Sequence, residues 1–352
     1  MKVLITGGVG FIGQYVARQL VDDSHEVVAL DSLLPQVHID PAAAIARFPG
    51  EVIEGDVADP ESWTRLPEVD GIVHLAAETG TGQSMYEVDR YTRVNVDGTR
   101  LAAEYAAERG LPIVFTSSRA VYGEGRYEKA DGTVHFGAPP SPDFQPVPSR
   151  EDDAHVPVSV YGETKSDGEK ALVAATEGRA HYAIIRPQNV IGFGQALHNP
   201  YTGVLAAFLS RLKEGRTLSV YGDGSATRDF VHVSDVARII GFALQRAAAG
   251  EDLVLNAGSG ERINLTQLAE YSIAGSKGEP VGIEYVEVHR AGDIENAAAA
   301  MDRLAEVGGP APEWSPAAAV ADFIQKSWDQ EGADSSLWDD ALSELGKRGL
   351  TS

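Results

Sequence analysis

The sequence predicts an α/β protein with a doubly wound parallel sheet and a second, smaller α/β unit. Short runs rich in Val and Ile recur along the chain, each followed by a segment compatible with a helix. These runs are residues 2–6, 26–30, 51–54, 71–75, 112–116 and 182–186. They are apolar throughout rather than alternating, which is typical of strands covered by crossover helices on both faces. After Arg186, Pro and Gly interrupt the rhythm, which indicates the second unit.

Two long helices are predicted on the first unit. Residues 85–109 place apolar side chains near a 3.6-residue period, interrupted only by Gly98, and another helix is predicted from about Tyr161 to Thr176. Residues 234–257 return to a helix and then a strand, so we expect them to rejoin the first sheet. The stretch 124–151 is rich in Pro and Gly and is predicted to be a long surface loop.

The predicted domains are discontinuous, because the chain crosses between the two units more than once. The first domain is predicted to comprise residues 1–186 and about 231–257, the second about 187–230 and 258–330, and a C-terminal helix or tail 331–352. Within the second domain the pattern predicts one helix and two short strands, at 203–214, 218–221 and 282–288.

Composition and charge narrow the classes of function. The chain has 352 residues with 43% hydrophobic and 23% charged, which is ordinary globular composition. It has no cysteine, which excludes disulfides and thiolate ligands, and no metal site is predicted. With 29 basic and 52 acidic residues the formal net charge is -23, so neither nucleic acid nor an anionic membrane is an expected partner. No leader pattern and no run of 18 apolar residues is visible, which favours a soluble cytoplasmic protein.

A glycine-rich segment, TGGVGFIG, lies between the first predicted strand and the first amphipathic helix. Gly7 permits a tight turn, Gly10 lets the backbone approach a pyrophosphate, and Gly13 allows close packing of the helix. The helix N-terminus adds unpaired N–H groups that favour an anion. The sequence therefore predicts a dinucleotide site of the Rossmann type, although the spacing is G-x-x-G-x-x-G.

The second predicted strand ends at Asp31, where a carboxylate accepts hydrogen bonds from the adenosine ribose hydroxyls and repels a 2′-phosphate. Ser32 and Leu33 follow instead of Arg or Lys, which favours NAD over NADP. Asp56 and Val57, just past the third strand, are expected to contact the adenine.

Tyr161 and Lys165 are four residues apart at the start of a predicted helix, so both project from one face. The strand ending in Thr116 is followed by Ser117 and Ser118, at the edge of the sheet where ligands of such folds bind. A lysine ammonium beside a phenol lowers its pKa from about 10 toward neutrality, and a serine hydroxyl can share the proton. The set predicts a base for an alcohol whose hydride passes to a nicotinamide.

Several segments together resemble the extended short-chain dehydrogenase/reductase family, the NAD-dependent nucleotide-sugar epimerases and dehydratases. These are TGGVGFIG at 6–13, Asp31, HLAAETG at 74–80, Asn95, SSRAVYG at 117–123, YGETK at 161–165 and RPQNVIG at 186–192. The resemblance covers about residues 1–330 and implies a Rossmann sheet with a smaller α/β substrate-binding domain. It also implies Ser118 as the catalytic hydroxyl, with Ser117 the near alternative, Tyr161 as base and Lys165 as the anchor of the nicotinamide ribose.

The resemblance and the spacing together give the expected binding residues. Expected NAD-binding residues are Gly7, Gly10, Phe11, Ile12, Gly13, Asp31, Asp56, Val57, Leu75, Ala76, Ala77, Asn95, Ser117, Tyr161, Lys165 and Pro187. Expected substrate-binding residues are Thr79, Gln83, Ser84, Ser118, Arg119, Gln188, Asn189, Tyr201, Arg228, Arg290 and Asp293. The arginines are expected near a nucleotide diphosphate, where an acidic chain needs local cations.

One difference between this sequence and similar dehydratases bears on which reaction the protein catalyses. Similar dehydratases and decarboxylases carry an acidic residue two before the tyrosine of the VYG segment, where this chain has Ser118-Arg119-Ala120. The departure favours a nucleoside-diphosphate-sugar 4-epimerase. The alternatives are a 4-keto-sugar reductase or dehydrogenase, a 4,6-dehydratase with another acid, and a dinucleotide sensor without catalysis.

The segments ETGTGQSMYEVDRY at 78–91 and NPYTG at 199–203 resemble the branch of deoxysugar enzymes that contains dTDP-L-rhamnose 4-epimerase. A dTDP- or UDP-linked sugar is therefore the favoured substrate. The insertion from Glu124 to Arg150 is expected to be either a lid or an ordered surface loop. The resemblance also implies a homodimer, with the helices at 85–109 and 161–176 pairing across a two-fold axis into a four-helix bundle.

Overall fold

The computed structural model describes residues 1–198, 203–287, 293–330, 335, 336 and 338. The strands are β1 (Lys2–Thr6), β2 (Glu26–Asp31), β3 (Glu51–Glu54), β4 (Gly71–His74), β5 (Ile113–Thr116), β6 (Arg126–Glu128), β7 (Val134–Phe136), β8 (Gln145–Val147), β9 (Tyr182–Pro187), β10 (Asn189–Ile191), β11 (Leu218–Tyr221), β12 (Thr227–Arg228), β13 (Phe230–His232), β14 (Leu253–Ala257), β15 (Ile263–Asn264) and β16 (Ile283–Val286). The α-helices are α1 (Phe11–Asp22), α2 (Pro41–Ala46), α3 (Pro60–Thr64), α4 (Thr81–Ser84), α5 (Val88–Thr92), α6 (Gly98–Arg109), α7 (Val160–Thr176), α8 (Val204–Lys213), α9 (Val233–Ala248), α10 (Leu265–Ala274), α11 (Asp302–Glu306) and α12 (Pro316–Ser327).

The central sheet has seven parallel strands in the order β14-β9-β5-β4-β1-β2-β3. The chain builds the sheet outward from β1 in both directions, which is the doubly wound arrangement. In the register, Val3 of β1 lies opposite Val27 of β2 and Gly71 of β4. The predicted fold class is confirmed.

Helices cover both faces of this sheet, which explains why its strands are apolar throughout. α1 packs against α9 on one face, and α6 packs against α7 on the other. Val3 and Ile5 of β1 belong to the core beneath α1 and α9, whereas Leu4 belongs to the core beneath α6 and α7. Consecutive residues of one strand thus serve two cores because side chains alternate across the sheet.

The two long predicted helices are present with adjusted bounds. α7 begins one residue before Tyr161, because the Ser159 side chain caps it by accepting from the Gly162 N–H at 3.2 Å. The predicted helix at 85–109 begins instead at Val88 and passes through a π-helical turn, Arg93–Asp97, before α6. Gly98 is helical, and a Cβ there would lie 2.8 Å from the Val57 side chain. The close approach of the helix to Val57 therefore requires glycine at this position.

The second unit has its own apolar core, formed by α8, α10 and α12 around β11. β11 pairs in parallel with β16, and β10 pairs with β13 beside the central sheet. The predicted division into domains stays a prediction. Met301, Leu304 and Val307, assigned by sequence to the second domain, pack against the core beneath α1 and α9. Of the predicted C-terminal segment 331–352, only residues 335, 336 and 338 are described.

The prediction of a long surface loop over 124–151 is wrong. This stretch forms a three-stranded antiparallel sheet in the order β7-β6-β8. It is anchored to the segment after residue 293, because the Glu124 carboxylate accepts from the Glu295 N–H at 2.9 Å and the Ser149 N–H donates to Ala298. Short strands of three residues between Gly and Pro give little periodicity, so the pattern was not visible in the sequence.

In the described part of the chain, no helix is both long enough and apolar enough to span a membrane.

Candidate active site

A cleft of about 1140 Å³ runs along the carboxyl ends of the central strands and continues into the second unit. Its first half is lined by the glycine turn, the ends of β2 and β4, and the segment after β5. Its second half is lined by residues after β9 and by parts of α8, β11, β12 and β16. A crevice at the carboxyl edge of a doubly wound sheet is where such folds bind ligands.

The glycine turn is shaped for close approach of backbone and ligand. Gly7 has φ +66°, and a Cβ on it would lie 2.9 Å from the backbone of Ala76. A Cβ on Gly13 would lie 2.5 Å from the carbonyl oxygen of Gly7, so the first turn of α1 closes against the strand only with glycine. Phe11 and Ile12, with Gly10, complete the lining at the N-terminus of α1, as the dinucleotide-binding interpretation requires.

Asp31 is buried at the end of β2 and is held by the turn that it faces. Its carboxylate accepts from the Val9 N–H at 3.0 Å and the Leu33 N–H at 2.9 Å. His38, which the sequence analysis did not select, lies on the cleft with its Nε2 3.6 Å from Asp31 Oδ1. A fixed, buried carboxylate on the cleft fits the ribose of NAD.

The adenine end of the cleft contains the other residues predicted along the second to fourth strands. Asp56, Val57, Leu75, Ala76 and Ala77 all line it. Asp56 is fixed by Arg93, whose guanidinium donates to the carboxylate at 2.6 Å and which also lines the cleft. Arg93 was missed, because a single arginine inside a helical pattern carries no signal of its own.

Four predicted NAD-binding residues do not line the cleft, and Lys165 is one of them. Asn95 is fully buried, where its amide bonds both backbone groups of Glu78 and donates to Thr164 Oγ1 at 3.0 Å. The Ser117 hydroxyl donates to Glu169, behind the cleft, and Pro187 lies at the end of β9 outside the lining. These residues support the cleft from beneath instead of facing it.

Tyr161 and Ser118 meet on the cleft surface. Both residues line the cleft, and the Ser118 side chain accepts from the Ala120 N–H at 3.1 Å. Burial raises the pKa of Tyr161, and the Ser118 hydrogen bond and the positive charge of Arg119 oppose that rise. The structure thus brings together the predicted base and the predicted hydroxyl, with Ser118 rather than Ser117 beside the phenol.

Lys165 lies behind the surface of the cleft. It is 2% exposed, does not line the cleft, and its Nζ donates to the Thr116 carbonyl at 2.9 Å. Burial lowers the pKa of Lys165 to about 7, with Glu169 opposing the change. Its predicted roles, beside the phenol and at the nicotinamide ribose, stay predictions. Spacing along one helix face predicted a neighbour, but the direction of a long side chain depends on its tertiary surroundings.

A buried ionic network lies directly behind the two catalytic candidates. Arg186 donates to Glu169 from Nε at 2.9 Å and from NH2 at 2.7 Å, and both side chains are nearly fully buried. Arg186 also donates to the Tyr122 hydroxyl at 2.8 Å, and Tyr122 in turn donates to Asn256. The network joins α7, β9, β14 and the turn after Ser118, and so fixes the backbone that presents Ser118 and Tyr161.

Two predicted sugar-site residues serve a different purpose. The Gln83 amide is bonded to Gln36 at 2.9 Å and donates to Glu87 at 3.2 Å, and the buried Ser84 hydroxyl donates to the Thr81 carbonyl. Neither lines the cleft, whereas Thr79 does. Their predicted role in binding a sugar is therefore not supported, because their polar atoms are already paired.

The second half of the cleft contains predicted substrate residues with unused polar atoms. Gln188 is 5% exposed, and both atoms of its amide lack a partner among the described residues, as does Asn189 Oδ1. Arg228 lines the cleft and donates to the Ile294 carbonyl at 2.7 Å, with Asp293 beside it. Tyr201 and Arg290 lie outside the described residues. Buried polar groups without partners in the chain favour a polar ligand, because leaving them unpaired is costly.

The sequence analysis assigned no function to the C-terminal end, yet Trp338 lines the second half of the cleft together with Arg211 and Glu284. The neighbouring Ser335 is held on α8, where its N–H donates to Glu214 at 2.9 Å. Trp338 could be found only from the tertiary structure, because the other residues of this lining are distant from it in sequence.

The fold and the cleft define a dinucleotide-dependent α/β enzyme with a Ser/Tyr site for an alcohol. The NAD dependent epimerase/dehydratase family model matches residues 3–258, and the chain belongs to this family. NAD is accordingly its cofactor, which the glycine cradle and Asp31 fit.

The chain is 37% identical to dTDP-L-rhamnose 4-epimerase from Burkholderia thailandensis over 89% of this chain and 91% of that protein. The structure of UDP-glucose 4-epimerase from Thermotoga maritima with UDP-glucose is similar, with TM-score 0.77, 26% identity, and coverage of 93% of this chain and 98% of that one. A dTDP-glucose 4,6-dehydratase from Streptomyces venezuelae with NAD bound is similar too, with TM-score 0.78, 26% identity, and coverage of 96% and 100%. The chain is thus similar over most of its length both to proteins named as 4-epimerases and to one named as a 4,6-dehydratase. The residues of the cleft must therefore distinguish between the two reactions.

Proposed function

We propose that this protein is an NAD-dependent nucleoside-diphosphate-sugar 4-epimerase acting on a dTDP- or UDP-linked sugar, with a deoxysugar favoured. The observation that carries the proposal is that Tyr161 and Ser118 line the same cleft, with Arg119 and Ala120 as the next residues of the turn. The similarity to a dTDP-L-rhamnose 4-epimerase supports it.

In this proposal Tyr161, as phenolate, accepts the proton of the sugar C4 hydroxyl, and Ser118 shares that proton. The glycine turn and Asp31 would hold NAD, which would supply the reversible hydride transfer at C4 that no side chain provides. After the 4-keto sugar turns its other face, Tyr161 returns the proton to the C4 oxygen. Proton and hydride are both restored, so the net reaction is inversion at C4.

The substrate is held by the second half of the cleft. We assign the sugar to Thr79, Gln188 and Asn189, whose polar groups face it, and the diphosphate to Arg228, with Asp293 at the adjoining ribose. The unpartnered amide of Gln188 supports this assignment, since sugar hydroxyls both donate and accept hydrogen bonds. Tyr201 and Arg290 stay predictions.

Dehydration is disfavoured by the side chains beside Ser118. Elimination of water across C5 and C6 needs an acid and a base next to the hexose. The two residues that follow Ser118 are Arg119, which carries a guanidinium, and Ala120, which carries only a methyl group and is buried. The nearby carboxylate of Glu124 is occupied by two bonds from the Glu295 N–H, at 2.9 and 3.1 Å.

Retention of the dinucleotide favours epimerisation over net reduction. The chain near Gln36, whose neighbours Val37 and His38 line the cleft, is tied on two sides, because Gln36 is bonded to Gln83 and its carbonyl accepts from His198 at 3.0 Å. The Tyr15 hydroxyl donates to the Phe193 carbonyl at 3.1 Å and adds a second link to the same region. An epimerase keeps its cofactor between half-reactions, whereas a reductase must release it.

The test is a purified sample offered dTDP-, UDP-, GDP- and CDP-sugars that carry deuterium at C4. We expect one NAD per chain to be released on denaturation, and the C4 epimer to form with its deuterium retained and without net NADH. The Tyr161→Phe variant should keep its NAD and lose this activity. Stoichiometric NADH consumption with a keto sugar would identify a reductase, loss of 18 mass units as water a dehydratase, and NAD binding without turnover a sensor.

We further infer a homodimer through α6 and α7, since Val173 and Val88 are apolar and 38% and 44% exposed near this helix pair. Light scattering that gives the mass of one chain would contradict it. A cytoplasmic location stays a prediction, which fractionation of the producing cells would test.

A further inference from the structure

Trp338, near the C-terminal end of the described chain, lines the second half of the cleft, and the proposed reaction does not use it. It lies outside residues 3–258, so its contribution is not part of the pattern that the family model matches. The residues that share this end of the cleft belong to α8, β11 and β16 and include Phe208, Arg211, Tyr221 and Glu284. The C-terminal segment therefore supplies part of the wall of the second unit's half of the cleft.

Polar contacts fasten the C-terminal segment to the end of α8. Lys213 donates to the Gln330 carbonyl at 2.7 Å. The Ser335 N–H donates to the Glu214 carboxylate at 2.9 Å, and the Ser335 hydroxyl donates to the same carboxylate at 2.6 Å. Arg216 donates to Ser335 Oγ as well. Ser335 is fully buried, so these bonds are shielded from water and hold the chain firmly just before it reaches the cleft.

The indole of Trp338 turns its polar edge away from the cleft. The side chain packs against the apolar core of the second unit. The residue is only partly buried, yet its Nε1 atom is fully buried and has no partner among the described residues. The ring therefore offers no N–H group to the cleft and can present only carbon there. Such a surface suits a flat aromatic group, which gains from stacked or edge-to-face contact beyond the area that it buries.

The position of Trp338 along the cleft indicates which part of the substrate meets it. A nucleoside-diphosphate sugar carries its base at the end opposite the sugar. The proposed function assigns the sugar to Gln188 and Asn189, directly after β9 of the central sheet, and the diphosphate to Arg228. The residues around Trp338 belong to the second unit alone. The base, at the far end of the same ligand, therefore falls in the part of the cleft that Trp338 lines.

Charged side chains at this end complement the edge of a pyrimidine base. Glu284 Oε1 accepts from the Ser219 hydroxyl at 2.6 Å and lies 3.7 Å from Arg211 NH1. All three residues line the cleft together with Trp338. Uracil and thymine carry carbonyl oxygens that accept hydrogen bonds and an N–H that donates one, so a guanidinium and a carboxylate both find a partner. An apolar, aromatic wall with a few polar groups is the usual lining of a small-molecule pocket.

We propose that Trp338 forms one wall of the site for the base of the nucleoside diphosphate, so that the C-terminal segment takes part in substrate binding. The inference rests on the proposed function, because it concerns the same substrate in the same cleft. Trp338 has no part in the chemistry at C4, since the base and C4 lie at opposite ends of the ligand. Its contribution is to binding, and its loss raises KM with little change in kcat.

The first measurement is the tryptophan fluorescence of the NAD-loaded protein during titration with UDP and with dTDP. The chain has four tryptophans, and Trp328 is the matched control, because it packs against the same core as Trp338 but does not line the cleft. Contact with a base changes the emission of an indole. We therefore expect the nucleotide-induced change to be largely lost in Trp338→Phe and kept in Trp328→Phe. A change that persists in full in Trp338→Phe overturns the inference.

The second measurement is calorimetric titration of the same protein with UDP and dTDP. Loss of an aromatic partner of a base weakens binding by about tenfold, so Trp338→Ala should raise both dissociation constants by about that factor. Trp338→Phe should recover most of the affinity, because it keeps an aromatic ring, and Trp328→Ala should leave both constants nearly unchanged. In C4 epimerisation, Trp338→Ala should raise KM by a similar factor and change kcat much less.

Unchanged dissociation constants in Trp338→Ala contradict the proposed site. An equal loss of affinity in Trp328→Ala contradicts it too, because the loss would then come from the shared core. A wild-type protein that binds UDP and dTDP but epimerises no sugar refutes the proposed function, while the dissociation constants still decide the role of Trp338. A wild-type protein that binds neither nucleotide refutes both.

Discussion

The side-chain amides of Gln36 and Gln83 are bonded across 2.9 Å, and this contact joins the chain on two sides of the NAD half of the cleft. Gln36 follows β2, and Gln83 lies in α4 after β4. Arg90 strengthens the join, because it donates to Gln36 at 3.3 Å and pairs with Glu78 at 2.8 Å. A polar bridge thus joins two segments whose neighbouring residues line the first half of the cleft.

We therefore expect Gln36→Ala to release NAD faster. Losing one or two hydrogen bonds of about 1 kcal/mol each corresponds to roughly a fivefold to thirtyfold faster dissociation. The measurement is the NAD content of the protein after timed dialysis. Gln145→Ala is the control, because Gln145 bonds Pro142 in the hairpin region far from this bridge. Equal NAD loss in both variants would show that the bridge does not retain the cofactor.

The second prediction concerns cofactor choice. Asp31→Asn removes the negative charge expected beside the ribose and keeps one of the two oxygens that accept from the Val9 and Leu33 N–H groups. Because a 2′-phosphate is repelled by the carboxylate, we expect the ratio of the NADP and NAD dissociation constants to fall by about tenfold, equivalent to about 1.4 kcal/mol. Calorimetric titration of protein stripped of its cofactor measures both constants. An unchanged ratio would mean that Asp31 does not face the ribose.

The third prediction concerns stability. Glu169→Gln leaves the buried Arg186 guanidinium without its counter-ion, and breaking a buried pair in this way costs about 3–5 kcal/mol. We expect a clearly lower Tm in thermal unfolding of the NAD-loaded protein. Asp167→Asn, which breaks the exposed pair with Lys170, is the control and should change the free energy of unfolding by less than about 1 kcal/mol. Similar Tm values for the two variants would contradict the assigned importance of the network.

The fourth prediction concerns pH. In the folded protein the pKa of Lys165 is about 7, below its ordinary value of 10.5, so between these values the unfolded chain binds a proton that the folded chain does not. The free energy of unfolding due to Lys165 therefore rises with pH across this window and is lost as pH falls toward 7, at about 1.4 kcal/mol per unit. Urea unfolding of wild type and Lys165→Met from pH 7.5 to 9.5 measures the difference. Parallel curves for the two proteins would show that Lys165 is charged in the fold.

Much of the fold could be predicted because its signals are local. The apolar runs gave β1, β2, β4, β5 and β9 to within a residue or two, and the helix predicted from about Tyr161 begins one residue earlier, at Val160. The hairpin sheet at 126–147 escaped prediction, because its three-residue strands are stabilised by pairing with each other and by bonds to residues 295–300. Such non-local pairing leaves no period in the sequence.

The site shows the same division between local and non-local signals. The glycine turn, Asp31, Ser118 and Tyr161 could be selected because each is tied to the end of a strand or the start of a helix. Gln83, Asn95 and Lys165 were placed toward a ligand, but their polar atoms are used within the protein. Whether a polar side chain faces the cleft or the interior depends on which partners the fold brings to it, and those partners are distant in sequence.

By itself, the sequence determined the doubly wound sheet and predicted the place of NAD and the base, since these follow from periodicity and from residues set at strand and helix ends. Only the tertiary structure decided that Arg119 lines the cleft while Lys165 donates to the Thr116 carbonyl behind it, because the two residues lie on different elements with different surroundings. The tertiary structure likewise decided that Gln36 is bonded to Gln83 and His198, since the three residues come from separate segments. The local sequence pattern determines the helices and strands, whereas tertiary packing determines which polar side chains stay unpaired and can contact a ligand.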